Sequence, residues 1–126
     1  MSIFDKTTDA LAATIQMRQI RHNVTSANIA NAETPHYHAK KVDFENALAS
    51  AIETQGITGD GLSGKPIKNV KADVYENPDV AVNNDGNTVD LEKEMSALSE
   101  NSIMYKTALQ LINKKMAALK YALGER

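Results

Sequence analysis

The residues nearest to a ligand-bearing loop are Asn83, Asp85, Gly86 and Glu92. Setting Gly86 at the sixth position of a helix-flanked calcium loop puts Asn83, Asp85 and Glu92 at ligand positions, but Ala81 falls where the first carboxylate belongs. A loop without that anchor reads as a turn followed by a helix cap. His36 and His38, two apart on an extended segment, could hold one edge of a metal, yet no third His or acidic cluster accompanies them. They read as a surface pair, and His22, among polar neighbours, as solvated. Phosphate-cradling and hydrolytic signatures such as G-x-x-x-x-G-K-[ST], G-x-G-x-x-G, G-x-S-x-G and H-E-x-x-H do not occur. Glu92 and Glu94 sit at a helix start, where they serve the helix dipole and not an acid–base pair in a cleft. Zero cysteines exclude thiolate zinc sites and cysteine nucleophiles. The residues therefore offer no catalytic, cofactor or metal site, and the chain reads as something other than an enzyme.

Composition narrows the remaining classes. In 126 residues the formal charge is −2, and Lys and Arg form no patch able to neutralise phosphates, so neither nucleic acid nor direct lipid binding is expected. Aromatics are only 5% and Trp is absent, so the apolar content is mostly Ala, Leu, Ile, Val and Met. Small and flexible aliphatic side chains suit close helix contacts. The segment Met1 to Ala10 lacks the charged start and apolar run of a cleaved leader, and no ~20-residue apolar span appears. The expectation is a chain that is cytoplasmic or leaves the cell without a cleaved signal peptide.

The elements carrying these residues are mainly helical. Leu91, Met95, Leu98, Ser102, Tyr105, Leu109, Ile112, Met116, Leu119 and Leu123 step by fours and threes, which predicts a helix from about 90 to 123. Asp90 is its expected N-cap and Gly124 its stop. At ~1.5 Å per residue it would be ~50 Å long, more than a compact domain of this size needs. A second row, Ala97, Met104, Ala108, Leu111, Ala118 and Ala122, widens the apolar face beyond what one partner covers. Both an ordinary bundle helix and an intermolecular one fit that face. From Ile3 to Ile29, the residues Ala10, Ala13, Met17, Ile20, Val24 and Ala27 predict a matching helix, with Ser2 and Asp5 spaced as a capping box. Thr34 before Pro35 requires extended chain, so this helix should end near Asn28 to Asn31.

Residues 1–34 and 88–126 are thus expected to pair as a coiled coil forming the core assembly domain, with 35–87 a small irregular central region. That region should hold a short helix over Asp43 to Ile52 and a loop over Gln55 to Pro66, which contains four glycines. One or two short extended pieces are expected between Ile67 and Val82, and a turn at Asn84 to Asn87. The seam residues Met17, Ile20, Val24, Leu98, Tyr105, Leu109, Ile112 and Met116 are the expected assembly interface.

The string from Ser26 to Tyr37, Ser-Ala-Asn-Ile-Ala-Asn-Ala-Glu-Thr-Pro-His-Tyr, resembles the signature of bacterial flagellar rod and hook proteins, a helix rich in Asn and Ala that leads into a Thr-x-Gly-Tyr turn. The residues carrying it are Asn28, Ile29, Ala30, Asn31, Thr34, Pro35 and Tyr37. Physically, Asn28 and Asn31 can bond free backbone groups at a helix end, and the turn can return Tyr37 against neighbouring helices. The stretches Asp85 to Glu92, Asn101 to Tyr105 and Lys120 to Leu123 look like the proximal rod members of that family. The resemblance covers roughly the first 48 and last 42 residues and leaves 49–84 unmatched. It implies a structural subunit of the proximal rod of the flagellar basal body, in the periplasm, polymerising through its terminal helices after type III export. Its partners would be its own copies, other rod subunits, the basal-body adaptor ring protein and the export gate. Another rod subunit, or a cytosolic coiled-coil adaptor or secretion chaperone, is the alternative. His36 departs from the pattern by standing where the family usually carries Gly; at positive φ it would cost on the order of 1 kcal/mol.

Overall fold

The computed structural model describes residues 6–58 and 67–124. The element order is helix α1 (Lys6–Ala30), strand β1 (Lys40–Asp43), helix α2 (Glu45–Thr58), a 3-10 turn (Ile67–Asn69), strand β2 (Asp73–Glu76) and helix α3 (Leu91–Ala122). Two long terminal helices pack together around a small central region holding a two-stranded sheet, as the periodicity leads one to expect.

α1 contains neither Gly nor Pro along its 25 residues, so nothing interrupts it before Ala30. It then tightens: the Asn31 amide bonds the Ala27 and Asn28 carbonyls and the Ala32 amide bonds that of Ile29, after which Pro35 bars continuation. Its expected beginning at Ile3 and the Ser2–Asp5 capping box lie outside the described residues. α3 begins where the sequence places it. Asp90 has extended backbone (φ −101, ψ 102) and its carboxylate accepts from the Lys93 amide at 3.2 Å. Gly124 at φ 77 closes the other end, its amide bonding the Tyr121 carbonyl. With 32 residues α3 is ~48 Å long.

The central region differs from expectation in three places. Asp43 ends β1, so α2 starts at Glu45. α2 also continues to Thr58, through residues expected to be loop, because Ala, Glu and Gln are good helix formers and a single Gly costs only about 1 kcal/mol near a helix end. The rest of the expected glycine loop lies outside the described residues. Ile67–Asn69, at the start of the stretch expected to hold one or two short extended pieces, coils into a 3-10 turn, and β2 is the extended piece. β1 and β2 pair antiparallel, Lys40 opposite Glu76 and Val42 opposite Val74. β1 carries no apolar alternation, and its pairing partners are 30 to 36 residues away.

The apolar core lies to one side of α1. Ala13 and Met17 of α1 pack with Val42, Phe44, Leu48, Ala51, Ile67 and Val70, and Ala10, Val24, Ile52 and Ala72 close around them. Among the described residues no α3 side chain belongs to this cluster. α3 instead runs antiparallel along another face of α1, with Glu94 beside Asn28 and Asn101 beside Arg18. At about 100° per residue, the α3 side chains nearest α1 fall between the two apolar rows. The buried positions of α3 are Asn101, between the rows, and Ala108, the small member of the second row nearest to it. α1 sits in the valley, and both rows keep exposed members: Leu91, Met95 and Met116 on one flank, Met104 and Leu111 on the other.

Truncation should read out this asymmetry. Met17→Ala or Ile67→Ala is expected to cost about 2–5 kcal/mol in urea unfolding of the purified chain, whereas Leu111→Ala should stay within about 0.5 kcal/mol.

Candidate functional site

The motif residues converge where the end of α1, the segment before β1 and the start of α3 meet. Asn28, 1% exposed, is their hub. Its Nδ2 donates to the Lys40 carbonyl at 2.8 Å and to a Glu94 carboxylate oxygen at 3.1 Å. Its Oδ1 accepts from the Tyr37 hydroxyl and from the Lys40 amide, both at 3.0 Å. A primary amide has two N–H groups and two acceptor lone pairs, so this side chain is fully satisfied. One residue of α1 thereby holds the returning turn, the first strand and the last helix.

Asn31 caps the helix end: its Nδ2 donates back to the Ala27 carbonyl at 2.8 Å, and its Oδ1 accepts from the Thr34 hydroxyl at 3.0 Å. The carbonyls of Asn31 and Thr34 are taken in turn by Nδ2 of Asn87, at 2.8 and 2.7 Å. Asn87 is fully buried, and its Oδ1 accepts the Val89 amide at 2.7 Å. Thr88 continues the stitch, its amide bonding the Tyr37 carbonyl and its hydroxyl accepting from the Ala39 amide at 2.8 Å. Ile29 is half-buried, while Ala30 and Pro35 are exposed and serve by shape and backbone.

His36 has φ 61, the left-handed region that the departure from Gly puts in question. Its amide bonds the Asp85 carbonyl at 3.1 Å, and its imidazole lies so close to Gly86 that a Cβ there would come 2.5 Å from Nδ1. Gly86 is itself at φ 82, so two left-handed residues face one another across the junction. Asp85, considered above as a calcium ligand, uses its carboxylate on the Asn87 amide at 3.1 Å. Among the described residues no three His, Asp or Glu groups gather as a metal would require.

Asn101 does for the middle of the helix pair what Asn28 does at its end. It is 2% exposed, donates to the Arg18 carbonyl at 2.8 Å and accepts from Arg18 Nη1 at 3.3 Å. Sequence reasoning missed Asn87 and Asn101 as structural residues. The available signal was Asn101 lying between the two apolar rows, a polar residue on the apolar side of the helix. Arg18 and Arg21 stack over the Phe44 ring, 5.1 and 4.6 Å from its centroid. Arg21 also donates to the Val42 carbonyl at 2.6 Å and forms a two-pronged ion pair with Glu45. Burial pushes the Arg18 guanidinium down from its ordinary value, with Arg21's charge adding to that.

A cleft of about 430 Å³ opens between α1, β1 and α3, walled by Arg18, Arg21, Lys41, Glu45, Lys93 and Glu94 among others. Its charges are mixed: Arg21 pairs with Glu45 within it, while Lys41 and Lys93 pair with Asp79 and Asp90 outside its walls. Burial raises the Glu94 carboxyl, the Asn28 bond partly offsets this, and Asp90's charge adds to the rise. Burial would also raise Glu45, but the Arg21 hydrogen bonds, two backbone amides and Arg21's charge outweigh it and bring that group down to about 2.

The expected interface residues divide. Met17 is buried in the chain's own core and Val24 packs against it. Leu98, Tyr105, Leu109 and Ile112 are half-buried beside α1, and Tyr105 donates to Gln19 at 3.4 Å. Ile20 and Met116 are exposed.

Two outcomes follow from the junction. Asn28→Ala removes the bonding partner of four groups, on Tyr37, Lys40 and Glu94, and should cost about 2–4 kcal/mol by urea unfolding. Because the folded Glu45 carboxyl lies below its unfolded value of 4.5, its stabilisation is present above that pH and is lost as pH falls toward 2. Acid titration of unfolding should therefore show a shallower loss between those limits in Glu45→Gln.

Comparison with known proteins agrees with this architecture. The family described as "Flagella basal body rod protein" matches residues 10–37, which contain the whole motif from Asn28 to Tyr37. The chain is 37% identical over 131 residues to the flagellar basal body rod protein FlgB of Aeromonas hydrophila, covering 98% of this chain and 97% of that one. It is 33% identical to FlgB of Bacillus subtilis strain 168, with the same coverage, and 34% identical to FlgB of Cereibacter sphaeroides over 89% of both chains.

Proposed function

Because the chain belongs to the flagellar basal body rod protein family, we propose that it is a structural subunit of the proximal rod, exported unfolded through the flagellar type III apparatus and polymerising through its terminal helices. It catalyses no reaction. Its partners are its own copies, the other rod subunits, the adaptor ring protein that links the rod to the membrane ring, and the export gate. It resides in the periplasmic part of the basal body.

The observation that carries this reading is the pair of apolar flanks on α3. Leu91, Met95 and Met116 on one side of α1, and Met104 and Leu111 on the other, stay exposed although α1 is already docked. Apolar rows of this extent on a small folded chain are surfaces for association. A helix of ~48 Å, carried by a polar valley and flanked by apolar rows, can meet a neighbour on each side without giving up its own partner. Leu98, Tyr105, Leu109 and Ile112, half-buried at the edge of the helix pair, extend the same surface.

The test is genetic. In a strain whose flagella depend on this chain, Leu109→Asp or Ile112→Asp should abolish swimming while the purified variant keeps its helical circular-dichroism spectrum. Normal swimming with both variants would count against the seam. Deleting the gene should leave membrane rings without a rod in electron micrographs of basal bodies; complete hooks would refute the rod reading.

A further inference from the structure

The apolar row of α3 that begins with Leu91, Met95 and Leu98 is interrupted once, by Ser102, before it resumes with Tyr105 and Leu109. A hollow of about 280 Å³ opens at this short side chain, in the seam between the two long helices. Gln19 and His22 of α1 line it together with Asn101, Ser102, Tyr105 and Lys106 of α3. The Asn101 amide is spent on Arg18, and the Tyr105 hydroxyl donates to Gln19 at 3.4 Å. The side chains of His22, Ser102 and Lys106 have no hydrogen-bond or ion-pair partner among the described residues. The hollow thus presents an ammonium, an imidazole, a hydroxyl and an amide, and no carboxylate. Residues 10–32 and 101–124 contain no Asp or Glu at all. Glu100 is nearest in sequence, but two residues turn a helix by about 200°, and it lines the cleft on the other side of Asn101.

We propose that this hollow seats a carboxylate carried by an amphipathic helix of a different rod subunit, lying along the α1–α3 seam with apolar residues about one heptad before and after its Asp or Glu. Apolar anchors for such a helix are in place. Leu98 and Leu109 are half-buried on either side of the hollow, and Met95 and Met116 beyond them are 55% and 38% exposed. Ser102 is seven residues from both Met95 and Leu109, which puts an anchor about 10 Å away in each direction, the rise of one heptad on a facing helix. These anchors supply adhesion, and the hollow supplies choice. A helix closing over the seam strips water from Lys106 and the Ser102 hydroxyl, which then require acceptors, and a carboxylate offers them with the matching charge. A lysine at that place would be repelled, and an apolar residue would leave the polar groups unpaired. A second copy presenting these same stretches of α1 and α3 brings no carboxylate, so the fit is to a different chain. The inference rests on the rod-subunit reading, because that reading supplies the neighbours.

Lys106 is exposed and unpaired among the described residues, so Lys106→Glu is expected to leave the urea midpoint of the purified chain unchanged. In cells that depend on the variant, the number of rods is expected to fall about tenfold, the effect of reversing one charge at a closed contact. Suppressors that restore swimming to this variant are then selected. They are expected to replace Asp or Glu by Lys or Arg in a helix of another rod subunit, between apolar residues at heptad spacing. Suppressors confined to this chain make the occupant a second copy and overturn the proposal, as does a normal number of rods with Lys106→Glu. Either result leaves the rod reading standing, which falls only if cells lacking the gene still build rods. In solution the probe is a model helix with Leu one heptad either side of a central Glu. It is expected to shift the amide NMR signals of His22, Ser102 and Lys106, and to bind about tenfold more tightly than the same helix with a central Lys. Equal binding of the two helices, or binding of neither, refutes the carboxylate seat.

Discussion

A single buried amide governs how this chain is put together. Asn28 lies at the last turn of α1, where backbone groups run out of helical partners, and it spends all four of its hydrogen-bonding positions on groups from three other segments. Two of those bonds go to the amide and carbonyl of Lys40, so the first strand is fixed to the helix by a mimic of strand pairing. Another receives Tyr37, which brings the turn back; the last reaches Glu94 in the first turn of α3. Removing water from this point is costly unless every position is filled, and that completeness makes the junction specific. Asn87 and Thr88 repeat the device from the other side, binding the carbonyls and amides of the turn that α1 leaves behind.

With the junction set, α1 has two different jobs. One face enters the apolar core with β1, α2 and the 3-10 turn, where Met17 and Ala13 meet Phe44 and Ile67. The other carries α3 through Asn101, Arg18 and Ala108, with Leu98, Tyr105, Leu109 and Ile112 half-buried alongside. Arg18 and Arg21 join the faces, since both lie over the Phe44 ring while Arg18 also bonds Asn101. Outer members of both apolar rows, among them Leu91, Met95, Met104, Leu111 and Met116, stay exposed with α1 docked.

The turn geometry accounts for the left-handed backbone at position 36. The chain must reverse within a few residues of Pro35 and pass close to the turn at Asp85 and Gly86, and left-handed backbone at φ 61 accomplishes that. His36 accepts the strain and in exchange lays its ring on Gly86, a position where any side chain would collide. The two positions form a pair: with a ring at one, the other has room only for hydrogen.

How much was legible in the sequence depends on the range of the interaction involved. The period of the apolar residues over 91–123, the capping carboxylate of Asp90 and the stop at Gly124 are local, so α3 could be read to within a residue or two, and α1's end likewise from Pro35. The string from Asn28 to Tyr37 was legible as a motif, and with it the family. β1 was not, because Lys40 to Asp43 has no alternation of its own and becomes a strand only through Asn28 and β2. Nor were Asn87 and Asn101, whose importance depends on carbonyls more than fifty residues away. The apolar spacing by itself determined that the ends are long helices with more adhesive surface than one partner covers. Only the tertiary structure decided that Met17 belongs to the chain's own core and that α1 lies between the rows of α3, because burial is shared out among elements by three-dimensional packing and not by period.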